Sequence, residues 1–186
     1  MANPIKPTIQ TEFIPLALLV LTIAASVYFY NNLPGQIATH WNFAGQVDSY
    51  GSGQTQAIVF PLMIIGMYVM FLLIPYLDPK KARYEQFSKI YHIFKSIIIG
   101  LIVVIYMIIG LNGLGNNLPV GIIMPGLIGL LFIVLGNYLG KIKMNWFMGI
   151  RTPWTLSSEE VWNKTHRFGG KMFILAGILM VAQIFL

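Results

Sequence analysis

KIKMNWFMGIRTPWTLSSEEVWNKTHRFGGK, residues 141–171, is the only long polar segment in the second half of the chain, and it lies between two apolar runs. It carries six of the twelve Lys and Arg residues: Lys141, Lys143, Arg151, Lys164, Arg167 and Lys171. Trp154 and Trp162 sit beside its central Gly149–Trp154 turn, and Trp146 just precedes it. A charged, aromatic insert between uncharged blocks is what joins helices that cross a membrane.

Within the insert, Ser157 with Glu160 three residues on predicts a capping box, and Glu159 and Glu160 then suit the positive end of a helix dipole. Glu160 can pair with Lys164 one turn later. Val161, Thr165, Phe168 and Met172 fall on one face at helical spacing, so an amphipathic cytoplasmic helix is expected from about Ser158 into the last span. Trp162 and His166 lie one turn apart on an adjacent face, which either anchors the helix at the interface or docks a protein. Pro153 forces Thr152 out of helical geometry, so Arg151 stands in a shaped turn. Its guanidinium can bind a lipid phosphate, a carboxylate or the carbonyls of the loop itself.

Outward from this insert the chain is apolar. Of its 186 residues 56% are hydrophobic and only 10% charged, and mean hydropathy is +0.72. The apolar residues come in blocks: Phe13–Tyr30, Ala57–Leu77, about Ile90–Leu111, about Leu118–Gly140 and Met172–Leu186. The last reaches eighteen residues when counted back to Gly169, about 27 Å of helix against a core of about 30 Å. The first is followed by Tyr28-Phe29-Tyr30-Asn31-Asn32 rather than a small-residue cleavage site, so it reads as a span and not a removed signal. Pro61 and Pro75 are placed near the ends of the second block, where few backbone bonds are lost. Gly126, Gly129 and Gly136 in the fourth offer close approach to a neighbouring helix. Lys95, one or two turns inside the third, is expected to snorkel to the headgroups. The fold expected is an all-α polytopic membrane helix bundle of about five transmembrane helices. The abrupt end on Phe185-Leu186 suggests a further segment, missing or natively absent.

Charge sets the expected topology. With the N-terminus and the loops 78–89 and 141–171 in the cytoplasm, all twelve Lys and Arg residues fall in or beside cytoplasmic segments. The loop 31–56, placed outside, keeps Asp48 and His40 but no Lys or Arg; this is the positive-inside pattern and not a nucleic-acid patch. That loop is marked by Pro34, Gly35, Gly45, Gly51 and Gly53, so no long helix fits it. His40, Trp41, Asn42 and Asp48 lack the second histidine a metal site would want; His40 is expected to hydrogen-bond locally, with Trp41 and Tyr50 at the outer interface. Without cysteine there is neither disulfide nor thiolate chemistry. No GxSxG, HExxH or P-loop motif is present, so neither an enzyme nor a cofactor or metal site is expected. No Asp or Glu falls inside any of the five runs as bounded here, which weighs against proton-coupled transport.

Two stretches resemble a known family. Leu33-Pro34 through His40-Trp41-Asn42 to Gly45, Asp48 and Tyr50-Gly51-Ser52 is similar to the domain of unknown function called DUF1648. Gly149-Ile150-Arg151-Thr152-Pro153-Trp154-Thr155-Leu156, with Val161-Trp162 and Thr165-His166-Arg167, resembles the signature of SdpI-type immunity proteins. The resemblance divides the chain into a DUF1648-like region 1–89 and an SdpI-like region 90–186. It implies a bacterial membrane protein of immunity and signal transduction. The founding member protects its producer from a secreted toxic peptide and holds an ArsR-like repressor at the membrane. Family members commonly carry a further apolar segment, which this chain does not. From the topology, His40, Trp41, Asn42 and Asp48 are expected to meet the peptide outside. Arg151, Thr152, Pro153, Trp154, Trp162, His166 and Arg167 are expected to signal or dock inside. Membrane lipids, a secreted antimicrobial peptide and an ArsR-like repressor are the implied partners, with no direct nucleic-acid contact. A small transporter or channel, or a scaffold whose Arg151 and basic loops bind anionic headgroups, are the competing classes.

Overall fold

A computed structural model describes residues 5–42 and 44–185; the expectations for Met1–Pro4, Phe43 and Leu186 lie outside the described residues. The elements run α1 (Ile9–Asn32), β1 (Gln36–Trp41), β2 (Val47–Ser52), α2 (Gly53–Leu77), a 3-10 helix (Lys81–Phe87), α3 (Ser88–Gly113), α4 (Val120–Leu139), α5 (Pro153–Ser157), α6 (Glu159–Ala182) and a final 3-10 turn (Gln183–Phe185). The five long helices are each long and apolar enough to cross a membrane. Large apolar side chains such as Phe13, Val20, Leu62, Leu130 and Leu179 are exposed along them, a surface that belongs in lipid.

α1 and α2 start earlier than their apolar runs, and this changes two readings. α1 begins at Ile9, so Glu12 lies in its first turn, buried, and accepts the Tyr68 hydroxyl of α2 at 2.9 Å. An acid therefore does lie within a long helix, contrary to the run bounded at Phe13. α2 begins at Gly53, so Pro61 falls well inside it and its missing N–H orphans the carbonyl of Ala57. Two hydroxyls replace it, Ser26 Oγ at 2.7 Å and Tyr106 Oη at 3.3 Å. Pro75 orphans the Phe71 carbonyl in the same way, and Tyr91 Oη donates to it at 2.5 Å. Both prolines are thus tolerated because hydroxyls of neighbouring helices take over the lost bonds, rather than because few are lost.

Contacts group the chain into two compact units, one of Ile9–Val69 with Ser96–Met124, the other of Met70–Lys95 with the chain from Pro125 onward and the first residues. In the former, the loop expected to be turns is a β-hairpin. β1 and β2 pair antiparallel from Gln36↔Ser52 to Trp41↔Val47, with irregularities at Thr39 and Asp48. Ile37 of β1 is buried with Phe29, Leu33, Ala57, Tyr106 and Ile109, so the hairpin is seated on α1, α2 and α3. Tyr106 meets Phe29 edge-on at 5.3 Å and stacks on Phe60 at 5.4 Å. At the hairpin tip Gly45 (φ +73°) lies against Gly121 of α4, where an added Cβ would stand 2.9 Å from Cα.

In the latter unit α4 and α6 pack through glycine. Gly129 meets the carbonyl of Gly177 and Gly136 that of Gly170, and Gly126 makes room for Ile184. The two glycines on each helix are seven residues apart, so an antiparallel pair brings both contacts into register. Lys95, also here, is 1% exposed: it is enclosed by protein and does not snorkel.

Candidate functional site

The insert after α4 is held by buried polar groups. Asp78, just past α2 and 1% exposed, accepts from the Lys80 amide at 2.7 Å, the Tyr84 hydroxyl at 2.8 Å and the Trp146 amide at 2.9 Å. A carboxylate out of water needs such donors, and it fixes the chain at Trp146 in return. Asn145, fully buried, uses its whole amide. Nδ2 donates to the carbonyls of Lys143 (2.9 Å) and Met148 (3.1 Å), and Oδ1 accepts from the amides of Phe147 (2.9 Å) and Met148 (2.6 Å). Lys80 Nζ reaches Met144 Sδ and the Leu156 carbonyl, and Arg83 pairs with Glu159.

The Gly149–Trp154 turn is built on α6. Ile150 N–H donates to His166 Nε2 at 3.0 Å, which assigns the ring as neutral with its proton on Nδ1, donated to the Trp162 carbonyl at 2.8 Å. His166 stacks on Trp162 at 3.9 Å, and Trp162 Nε1 donates to the Ile142 carbonyl at 2.8 Å. Gly149 adopts φ +105° with His166 where a side chain would go, so only glycine fits. Thr152 and Thr155 then form the capping box that starts α5, and Thr155 Oγ1 also donates to the Ile150 carbonyl at 2.9 Å. The box expected at Ser157 and Glu160 is not there. Ser157 closes α5 by donating to the Trp154 carbonyl, and Ser158 caps α6 by accepting from Val161 N–H. Glu160 does pair with Lys164, at 2.6 Å.

The residues expected to dock a partner therefore separate into two groups. Trp162 and His166 are 1% and 0% exposed, so they hold the turn and neither anchor an interface nor present a surface. Arg151, Pro153, Trp154 and Arg167 are exposed, and Thr152 is half-buried as a cap. Arg151 Nη1 donates to the Trp146 carbonyl at 2.6 Å, the carbonyl-clamping role among those open to it. Sequence reasoning missed Asp78, Asn145 and Thr155, whose partners are set by the fold.

In the hairpin, His40 Nδ1 lies 2.5 Å from Asp48 Oδ1, both side chains exposed. Asn42 Oδ1 accepts from the Ala44 and Gln46 amides and closes the turn. Trp41 is half-buried against the Ile37 cluster. His40, Asn42, Asp48 and Tyr50 remain exposed. Among the described residues no group of three or more His, Cys, Asp and Glu could hold a metal.

A hairpin seated on apolar helices, followed by a knotted polar turn leading into the last of them, defines a multi-pass helical membrane protein with two signature segments. Residues 17–65 match the domain of unknown function DUF1648, and residues 141–184 match the SdpI/YfhL protein family, the two stretches whose motifs carry the resemblance. It is similar to the Immunity protein SdpI of Bacillus subtilis (strain 168), 22% identical over 176 residues, 95% of this chain and 82% of that protein. No solved structure matches the chain.

Proposed function

We propose that the chain is a membrane immunity protein that meets a secreted toxic peptide at its hairpin and answers through the exposed side of its Gly149–Trp154 turn. The observation that carries this reading is the similarity to Immunity protein SdpI over 95% of the chain, with both signatures in order. The twelve-to-none distribution of Lys and Arg supports a hairpin outside and loops 78–89 and 141–171 inside. The peptide would meet exposed His40, Asn42 and Asp48, on a hairpin that its Ile37 seat holds in one pose. Inside, Arg151, Trp154 and Arg167 are the signature residues left for an ArsR-like repressor, since Trp162 and His166 are enclosed. Neither catalysis nor a cofactor enters this account.

The test is a killing curve with the toxic peptide on a sensitive strain expressing the wild type, His40→Ala/Asp48→Ala or Arg151→Ala, with membrane levels checked by blot. Protection should fall in the hairpin variant at unchanged protein level. No protection by well-expressed wild type sinks the immunity reading. The buried Glu12–Tyr68 pair favours a second reading, ion-coupled transport. In proteoliposomes, a flux that Glu12→Gln abolishes would carry that reading forward, and the absence of flux in wild type would remove it.

A further inference from the structure

We propose that Lys141, Arg151 and Arg167 form one headgroup site for an anionic phospholipid. Gly140 packs on Arg167, with an added Cβ 3.5 Å from its Cγ, and Ile150 packs on Gly169. Both contacts fall on one turn of α6, so the backbone next to Lys141 and next to Arg151 runs beside the turn that carries Arg167. All three are exposed, and among the described residues none is in an ion pair: Glu159 is taken by Arg83, Glu160 by Lys164, and the buried Asp78 spends its oxygens on Lys80, Tyr84 and Trp146. Three exposed cations outside any ion pair can take an anion.

The cations are also held in place. Arg151 is fixed by the Trp146 carbonyl and by a turn anchored through His166 and Thr155, and Lys141 Nζ lies 5.0 Å from the Tyr138 ring centroid. One guanidinium bond of Arg151 goes to protein, and its remaining N–H donors can take phosphodiester oxygens. The surroundings identify the source of the phosphate. Lys141 follows the end of α4 by two residues, and Arg167 precedes the apolar run from Met172. Phe168 and Met172 are exposed on α6 beside Arg167, and Trp146 and Trp154 are exposed on the loop. Cations with exposed aromatics and acyl-compatible surface match a lipid at the bilayer boundary better than a soluble anion or an acidic protein. This inference is independent of peptide recognition at the hairpin, and it gives Arg151 and Arg167 a lipid rather than a repressor to hold.

The experiment is native mass spectrometry of the full chain in an uncharged detergent, offered equal phosphatidylglycerol and phosphatidylcholine with the same acyl chains. Wild type should retain phosphatidylglycerol in preference. Lys141→Gln/Arg167→Gln, which leaves the Arg151 clamp untouched, should lower that preference about tenfold. Arg151→Lys should lower it less, and Lys89→Gln, an exposed cation of the α3 first turn, should not lower it. Equal retention of the two lipids by wild type overturns the proposal. So does a preference that survives Lys141→Gln/Arg167→Gln, or one that Lys89→Gln lowers as much, since either means diffuse charge. Displacement of the lipid by millimolar glycerol phosphate would assign the site to a soluble phosphate and overturn the lipid. Thermal unfolding of each variant is run alongside, so that a lost fold is not read as a lost lipid.

Discussion

The hairpin of residues 36–52 leaves its polar side chains in solvent, whereas the loop of residues 141–158 is organised around polar groups buried beneath it. In the hairpin one residue, Ile37, seats the strands, and His40, Asn42, Asp48 and Tyr50 stay in solvent. The later loop buries its own Asn145 and Thr155 and packs over Asp78 and His166 from outside it, and each has partners. A buried polar group without its partner costs far more than an exposed one, so the two loops should respond to mutation in opposite ways. Substitutions inside the knot should remove the protein, while those on the hairpin face should remove recognition and leave the protein standing.

The largest effect is expected from Asp78→Ala. Three donors, two of them backbone amides, lose their acceptor, and the cost should be about 3–5 kcal/mol. Thermal unfolding in detergent micelles should show a large fall, with loss of the protein from the membrane fraction. A variant as stable as wild type would mean that the loop does not depend on this carboxylate. Next comes Gly149→Ala, which combines φ +105° with a collision against His166. The ring cannot step aside without giving up both its hydrogen bonds, so about 3 kcal/mol is expected.

These two predictions show where sequence reading was strong and where it stopped. The five spans were legible because bilayer thickness fixes the length of an uncharged run, and glycine spacing on α4 correctly pointed to a close helix contact. The hairpin was not legible. Only Ile37 of β1 is buried, the alternation that marks a strand is broken at Thr39 and Asp48, and five glycines and prolines read as turns. Asp78 was invisible because its most telling donor, the Trp146 amide, is 68 residues away. Arg151 was the reverse case: its residue type allowed three roles, and only the geometry chose the Trp146 carbonyl. The early start of α1 came from polar residues that belong to the helix but not to the apolar run, which is how Glu12 was left outside.

Gly45→Ala tests the hairpin by the same physics at a looser place. Its φ of +73° lies near the left-handed well, and the obstacle is the Gly121 backbone at 2.9 Å. The tip can lift from α4 while Ile37 keeps its seat, so about 1–2 kcal/mol is expected, less than for Gly149→Ala. Unfolding midpoints of the two variants, measured side by side, give the order directly. An equal or greater loss for Gly45→Ala would mean that the hairpin tip is as tightly built as the knot, and the contrast between the loops would fail.

The smallest effect on stability should come from His40→Ala. The pair with Asp48 is exposed on both sides, and such pairs contribute less than about 1 kcal/mol. What makes the variant informative is the other readout. If the hairpin face recognises a peptide, His40→Ala must weaken protection in the killing curve while its unfolding midpoint stays near that of the wild type. A fall in both together would show that the pair holds the hairpin up, and the hairpin would then be structural in the same sense as the later loop.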